Sequence, residues 1–361
     1  MAQISQIDEE MPSPKAHIHS SDWTLLLKKN MHWFANIAMF IFAIIFSFHK
    51  LGVPSIWFDE AFSVELARQP LSLLLHLITG PEPNMELYYL MLHFWLQVTS
   101  LFGLHQTEFI VRFPSALSAA CGAVIVFMLG RRFIGLVGGC LAASLLILNS
   151  LQLTYAQQTR GYALQSLLLC ISFLALLQAI LGKKHQVRWW CIYVLAATLA
   201  VYTHLFSFLV LFAQGVAVAG ILLVPNAWQQ QARQQFKAML ISAAALGVLV
   251  APMLILTRHG SKTGWLPIPH LHDLYELVKV FSGRQELYLY GIIICSSAGL
   301  IIAIISYLFH LQPQVRTRVA ARFMSADTIF SQQDLLPWLW LLLCWLVLPI
   351  VVSFVVSQGA T

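Results

Sequence analysis

Hydrophobic residues run along this chain in long blocks, and polar residues fall between them. A helix needs about 20 mostly apolar residues to cross a bilayer. Blocks of that kind cover residues 31–49, 113–130, 134–152, 162–181, 190–203, 205–224, 238–256, 288–309 and 336–356, so the pattern predicts nine spans. The first block follows a polar segment ending in Lys28-Lys29 and has no small-residue cleavage site after it. It reads as an uncleaved anchor. Residues 1–30 are then a cytoplasmic N-terminal segment, and residues 31–361 a single transmembrane domain. The fold class expected is all-α and polytopic.

Residues 86–102 are ambiguous. They are apolar but carry Tyr88, Tyr89, His93, Trp95 and Gln97. If they lie at the membrane interface, thirteen of the 21 Lys and Arg fall on the inner face; if they cross, nine do. Basic residues concentrate in cytoplasmic loops, so the interfacial arrangement is preferred. It puts the N-terminus inside and the C-terminus outside. It also puts two long loops, 50–112 and 257–287, on the outer face, with interfacial helices in the first.

Composition sharpens this picture. The 361 residues are 59% hydrophobic and only 10% charged, with a formal net charge of +6. Mean hydropathy is +0.75. Such a chain could not cover a soluble surface, which excludes a soluble enzyme and a nucleic-acid-binding module. The basic excess is what inner loops supply, and it implies no nucleic-acid partner. Six cysteines lie inside apolar runs without C-x-x-C spacing, so neither a disulfide framework nor a thiolate metal site is expected. No internal repeat is visible, which weakens an inverted-repeat transporter.

The few acids are unevenly placed. No Asp or Glu occurs between Glu108 and Asp273. The spans there hold no carboxylate for a proton or sodium relay. The sharpest acidic cluster is Asp59-Glu60, within Trp57-Phe58-Asp59-Glu60-Ala61-Phe62-Ser63 just after the first span. A carboxylate among aromatics could serve as a general base. The same dipeptide also makes a favourable helix N-terminus. Arg160, between Gln158-Thr159 and Gly161-Tyr162, could pair with a phosphate or simply snorkel; Arg112 before Pro114 has the same two readings. His204 ends Tyr202-Thr203-His204 in a tight turn, where it is a ligand or a structural hydrogen-bonding group. The loop 257–287 offers Arg258, His259, Lys262, Trp265, His270, His272 and Asp273. That mixture suits a lid over a phosphate-bearing lipid, or a solvated loop.

In order, these pieces resemble a known family. The set runs from Trp57-Phe58-Asp59-Glu60 through Leu87-Tyr88-Tyr89-Leu90 and Leu92-His93-Phe94-Trp95-Leu96. It continues with Glu108-Phe109, Val111-Arg112-Phe113-Pro114-Ser115, Leu129-Gly130-Arg131-Arg132-Phe133 and Gln158-Thr159-Arg160-Gly161-Tyr162, and ends at Tyr202-Thr203-His204. It is similar to the C-type (GT-C) polytopic membrane glycosyltransferases. Within them it resembles glycosyltransferase family 39, the protein O-mannosyltransferases and aminoarabinose transferases, over residues 35 to about 310.

The resemblance implies a polyprenyl-phosphate-linked sugar donor and a lipid, glycan or protein acceptor. It implies action on the outer face of a bacterial plasma membrane. Asp59 would be the base that activates the acceptor hydroxyl, and Glu60 would assist it or hold a divalent metal. Arg112 and Arg160 would hold the phosphate, with Tyr162, Glu86 and His204 as further substrate-binding candidates. The reaction would invert the anomeric centre without a covalent enzyme intermediate.

Two features depart from the pattern. Asn84-Met85-Glu86 stands where many relatives carry His-Pro-Pro, and the chain stops at Thr361, before an Arg-Tyr-bearing segment that relatives have. The second departure is expected of a short variant or a truncated product. A lipid-linked-sugar translocator and a non-catalytic, transferase-derived membrane protein are the competing readings.

Overall fold

The computed structural model describes residues 20–80, 84–256, 268–283, parts of 286–297, and 335–358; side chains are described from residue 33. Every regular element among these residues is a helix. Among the described residues the chain is all-α, with several helices long and apolar enough to cross a membrane, as a polytopic membrane protein requires.

Helix α1 is Ser20–Phe48 and leads to the first loop. Three short helices follow: α2 (Phe58–Arg68), α3 (Leu71–Ile78) and α4 (Glu86–Leu101). On α2 the buried residues Glu60, Ser63, Val64 and Ala67 recur at the three- and four-residue spacing of one helix face. Val64, Ala67, Leu74, Ile78, Tyr88, Leu92 and Val111 form a small core of their own. The first loop is therefore a packed platform. At 16 residues, α4 spans about 24 Å, short of the ~30 Å hydrocarbon layer.

Helix α5 is Glu108–Ile147, and its backbone leaves helical geometry at Gly135 (φ 84°). That left-handed conformation suits glycine and turns α5 into two antiparallel arms. The first arm, Glu108–Arg132, is long and apolar enough to span. The second falls on the expected span 134–152. It is Gly135–Ile147 followed by α6 (Ser150–Ala156), bent by 65°. Asn149 makes the break: its Oδ1 accepts the Gln152 N–H at 3.1 Å and so starts a new helix.

Helices α7 (Tyr162–Leu181), α8 (Gln186–Thr203) and α9 (Ser207–Leu223) form the centre. The short α10 (Gln229–Gln234) leads into α11 (Phe236–Leu256). An outer helix, α12, covers Leu271–Phe281, and α13 (Leu335–Gln358) packs against α9. The main core lies between α7, α8, α9 and α13, around Phe173, Leu177, Trp190, Ile221 and Trp338.

Among the described residues four helices are long and apolar enough to cross a membrane, or five if the bent pair counts as one span. Trp33–Phe48 and Ser207–Leu223 are apolar but shorter. The expected span 288–309 lies largely outside the described residues. Arg112, near the start of α5, reaches the carbonyls of Leu51 and Pro54 just beyond α1. Residues 50–112 therefore leave and re-enter at one end of the bundle.

Candidate active site

The end of α1, the start of α2, the start of α5 and the α6–α7 turn meet at that end. What joins them is an ion pair. Arg112 Nε donates to Glu60 Oε1 at 2.9 Å and Nη2 donates to Glu60 Oε2 at 2.7 Å. Both residues are buried, at 2% and 0% exposure. The remaining Arg112 donors go to the carbonyls of Leu51 (3.0 Å), Pro54 (2.7 Å) and Ser55 (3.1 Å). A guanidinium has five N–H groups, and these contacts use all five.

Glu60 is equally committed. Oε1 also accepts the Thr159 N–H at 2.7 Å, and Oε2 accepts the Trp57 N–H at 3.5 Å. Its roughly four acceptor positions are engaged, the Trp57 contact being the longest. Burial by itself raises the Glu60 pKa, but the hydrogen bonds and charge of Arg112, with the Thr159 amide, outweigh it and hold the carboxyl below its ordinary range. Neither Glu60 nor Arg112 is presented to a substrate in this arrangement. A phosphate contact of Arg112 or a metal contact of Glu60 would have to displace one of these bonds.

Above the pair sit the groups that remain open. Asp59, one residue before Glu60, points away from the buried face with its side chain 41% exposed, and its Oδ2 lies 3.9 Å from Arg160 Nη2. Ser63 Oγ donates to the Asp59 carbonyl at 2.8 Å, and Arg160 Nη1 reaches Ser63 Oγ at 3.4 Å. Arg160 lies 5.9 Å over the Tyr162 ring. Tyr162 in turn packs between Tyr155 (centroids 4.7 Å apart) and His204 (5.5 Å).

His204 ends α8. Its Nδ1 accepts the Phe206 N–H at 3.2 Å, which leaves Nε2 as the protonated nitrogen of the neutral ring. Burial, aided by the Arg160 charge, pushes its pKa down to about 4. Glu86 opens α4 on another flank, close enough to Tyr202 to interact electrostatically. It is 5% exposed, and neither carboxylate oxygen has a hydrogen-bond partner among the described residues. Burial pushes its pKa up to about 7.

The α6–α7 turn is held by a chain of hydrogen bonds through Tyr88 and Ser115. The Tyr88 and Ser115 hydroxyls are 3.0 Å apart, and Ser115 Oγ donates to the Arg160 carbonyl at 3.2 Å. Gly161 fits where a Cβ would stand 3.1 Å from the Thr203 carbonyl and 3.4 Å from Tyr88 Cβ. Around this turn, Gln158 Oε1, Thr159 Oγ1 and Arg160 Nε are buried without a partner among the described residues. The only sequence signal was that Leu-Tyr-Tyr and Pro-Ser recur in the ordered motif set; their roles required the fold. Among the described residues, no three His, Cys, Asp or Glu side chains gather as a metal cage.

Comparison with known families bears on this end of the bundle. The model of the dolichyl-phosphate-mannose-protein mannosyltransferase family matches residues 90–256. The chain resembles the GT-C glycosyltransferases. The match contains Arg112, Arg160, Tyr162 and His204, and begins after Asp59, Glu60 and Glu86. It supports a membrane glycosyltransferase of the mannosyltransferase type, a family that implies a lipid-linked sugar donor and an acceptor. No curated protein and no solved structure matches the chain.

Proposed function

We propose that the chain is an inverting glycosyltransferase that moves a sugar from a polyprenyl-phosphate carrier to an acceptor hydroxyl on the outer face of a bacterial plasma membrane. The observation that carries this reading is the approach of a part-exposed carboxylate, Asp59, to a largely buried guanidinium, Arg160, whose turn also holds polar atoms without a partner among the described residues. Asp59 takes the proton of the acceptor hydroxyl as its oxygen attacks the anomeric carbon. The bond from that carbon to the phosphate oxygen breaks on the opposite face, and polyprenyl phosphate leaves. Arg160 balances the phosphate charge. Tyr162 and His204 shape the wall beside it, and burial with the Arg160 charge keeps the His204 ring neutral, its proton on Nε2. Glu86 supplies a protonated or ionised carboxyl toward the substrate's polar groups. Glu60 and Arg112 act by position: their pair fixes Asp59 at the start of α2 and, through the Thr159 amide, Arg160 on the turn.

An apolar cavity supports a lipid carrier. It has a volume of about 420 Å³ between α7, α8, α9 and α11, lined by Trp190, Tyr193, Phe212, Leu246 and Leu254 among others. Phe208, four residues past His204, lies at one end, and Val218 lies about 15 Å further along α9. An isoprenoid chain seated there would bring its phosphate toward the His204 turn.

The test is transfer of labelled sugar from a polyprenyl-phosphate donor by purified protein in vesicles. Asp59→Asn should reduce turnover by roughly 10²–10⁴-fold, the usual worth of a general base. Wild-type turnover in that variant would overturn the role of Asp59.

A further inference from the structure

Helix α12 is unlike the other helices: none of its eleven residues is buried. Its side chains are nevertheless sharply sorted. His272, Asp273, Glu276 and Lys279 share one side, where Glu276 pairs with Lys279 at 2.8 Å and lies 3.7 Å from His272. Leu271, Tyr275 and Val278, at the i, i+4, i+7 spacing of one stripe, are 76%, 56% and 44% exposed. Phe281 continues that apolar side. The Lys279 ammonium sits 4.3 Å over the Tyr275 ring, at the border of the two faces.

Both ends of α12 are tied to the ends of membrane helices. Gln358 Nε2, in the last turn of α13, donates to the carbonyl of Pro269 just before α12 at 2.7 Å. Asn149 Nδ2, at the α5–α6 break, donates to the Phe281 carbonyl at 2.6 Å. Gly283 then rests directly on Ser150. The helix thus bridges two points where apolar segments end. Its length of about 16 Å is laid across the bundle end.

The helix that α12 meets through Gln358 is itself apolar on its outside. Helix α13 exposes Leu343, Leu346, Val347 and Val351 along its length. It is among the spans with the least burial inside the protein, so this surface faces acyl chains. We propose that α12 is an interfacial helix whose Leu271–Tyr275–Val278 stripe is seated in the lipid headgroup layer at the mouth of the site. A helix with one apolar and one charged face, lying flat, inserts its apolar side about 5–10 Å below the headgroups. Seated there, α12 anchors α6, whose far end carries Tyr155 against Tyr162. The bilayer surface thereby braces the wall of the site.

The experiment uses the full chain with its native cysteines replaced by alanine, and single cysteines at residues 271, 272, 275, 276 and 278. Each is labelled with an environment-sensitive fluorophore and reconstituted in phosphatidylethanolamine–phosphatidylglycerol vesicles. Lipids brominated near the headgroup should quench positions 271, 275 and 278 at least about twofold more than 272 and 276, and aqueous iodide should show the reverse order. Labelled proteins are accepted only when their melting midpoint matches the unlabelled chain, so misfolding cannot imitate the pattern. Equal quenching on both faces overturns the proposal. So does protection of the stripe from both quenchers with energy transfer between labelled chains, which would assign it to a second copy.

Discussion

Removing Arg112 tests the scaffold most directly. In Arg112→Met, Glu60 keeps the Thr159 amide at 2.7 Å but loses both charged donors, and the carbonyls of Leu51, Pro54 and Ser55 lose theirs. Breaking a buried ion pair from one side costs about 3–5 kcal/mol, because the other charge stays buried and uncompensated. For a chain of this size that corresponds to a fall in melting temperature on the order of 10 °C. Buried Cys170 and Cys344 supply the readout, since a thiol-reactive dye reaches them as the bundle opens. The exposed Arg68–Glu65 pair is the control: its side chains are 44% and 62% exposed. Its loss in Arg68→Ala should cost less than about 1 kcal/mol. Glu60→Gln combined with Arg112→Met leaves no lone buried charge, so the double variant should melt above Arg112→Met alone. If Arg112→Met melts within about 1 °C of wild type, the pair does not hold the loop, the platform and the turn together.

Other outcomes follow from the same geometry. Arg160→Ala should raise KM for the lipid-phosphate donor more than Arg112→Lys does at equal folding, measured by initial rates across donor concentrations. Gly161→Val should disturb the turn, because its side chain would meet Thr203 and Tyr88; activity should fall without loss of the far-ultraviolet helical signal. His204 and Glu86 pull stability in opposite directions with pH. The depressed pKa of His204 means that stability is lost as pH falls from about 6.5 toward 4, because the unfolded ring takes up a proton first. The raised pKa of Glu86 gives stability that is fully present below 4.5 and lost as pH rises toward 7. Melting of wild type should therefore vary little between pH 4.5 and 6.5, while Glu86→Gln should become steadily more stable as pH rises across that window. Cysteines at Phe58 and Lys184, both exposed, should label from opposite sides of sealed vesicles; labelling of both from one side would overturn the topology argued from the charges.

Much of the fold was legible because a bilayer imposes a simple rule on composition. Blocks 162–181, 205–224 and 238–256 return as helices within a few residues, since nothing but length and apolarity decides them. The block 134–152 returns as a bent pair of helices for a local reason: Asn149 offers a side-chain acceptor inside an apolar run, and a hydropathy window averages it away.

At the site, residue types alone identified Asp59, Glu60, Arg112 and Arg160 as the charges worth examining in a charge-poor chain. They could not say how those charges pair. Two arginines at equivalent apolar borders look alike in sequence. Yet Arg112 meets five acceptors and is spent, while Arg160 keeps an unpartnered Nε and an open edge toward Asp59. Adjacent acids divide in the same way. Successive residues on a helix are about 100° apart, so Glu60 turns into the protein where Asp59 turns out. Which of them stays exposed is set by the partner that comes from 52 residues away. The sequence by itself determined a membrane chain, most of its helices and the small set of charges that can do chemistry, because hydropathy and charge are local properties. The tertiary structure decided which charges cancel and which stay available, because pairing is a property of distance in space.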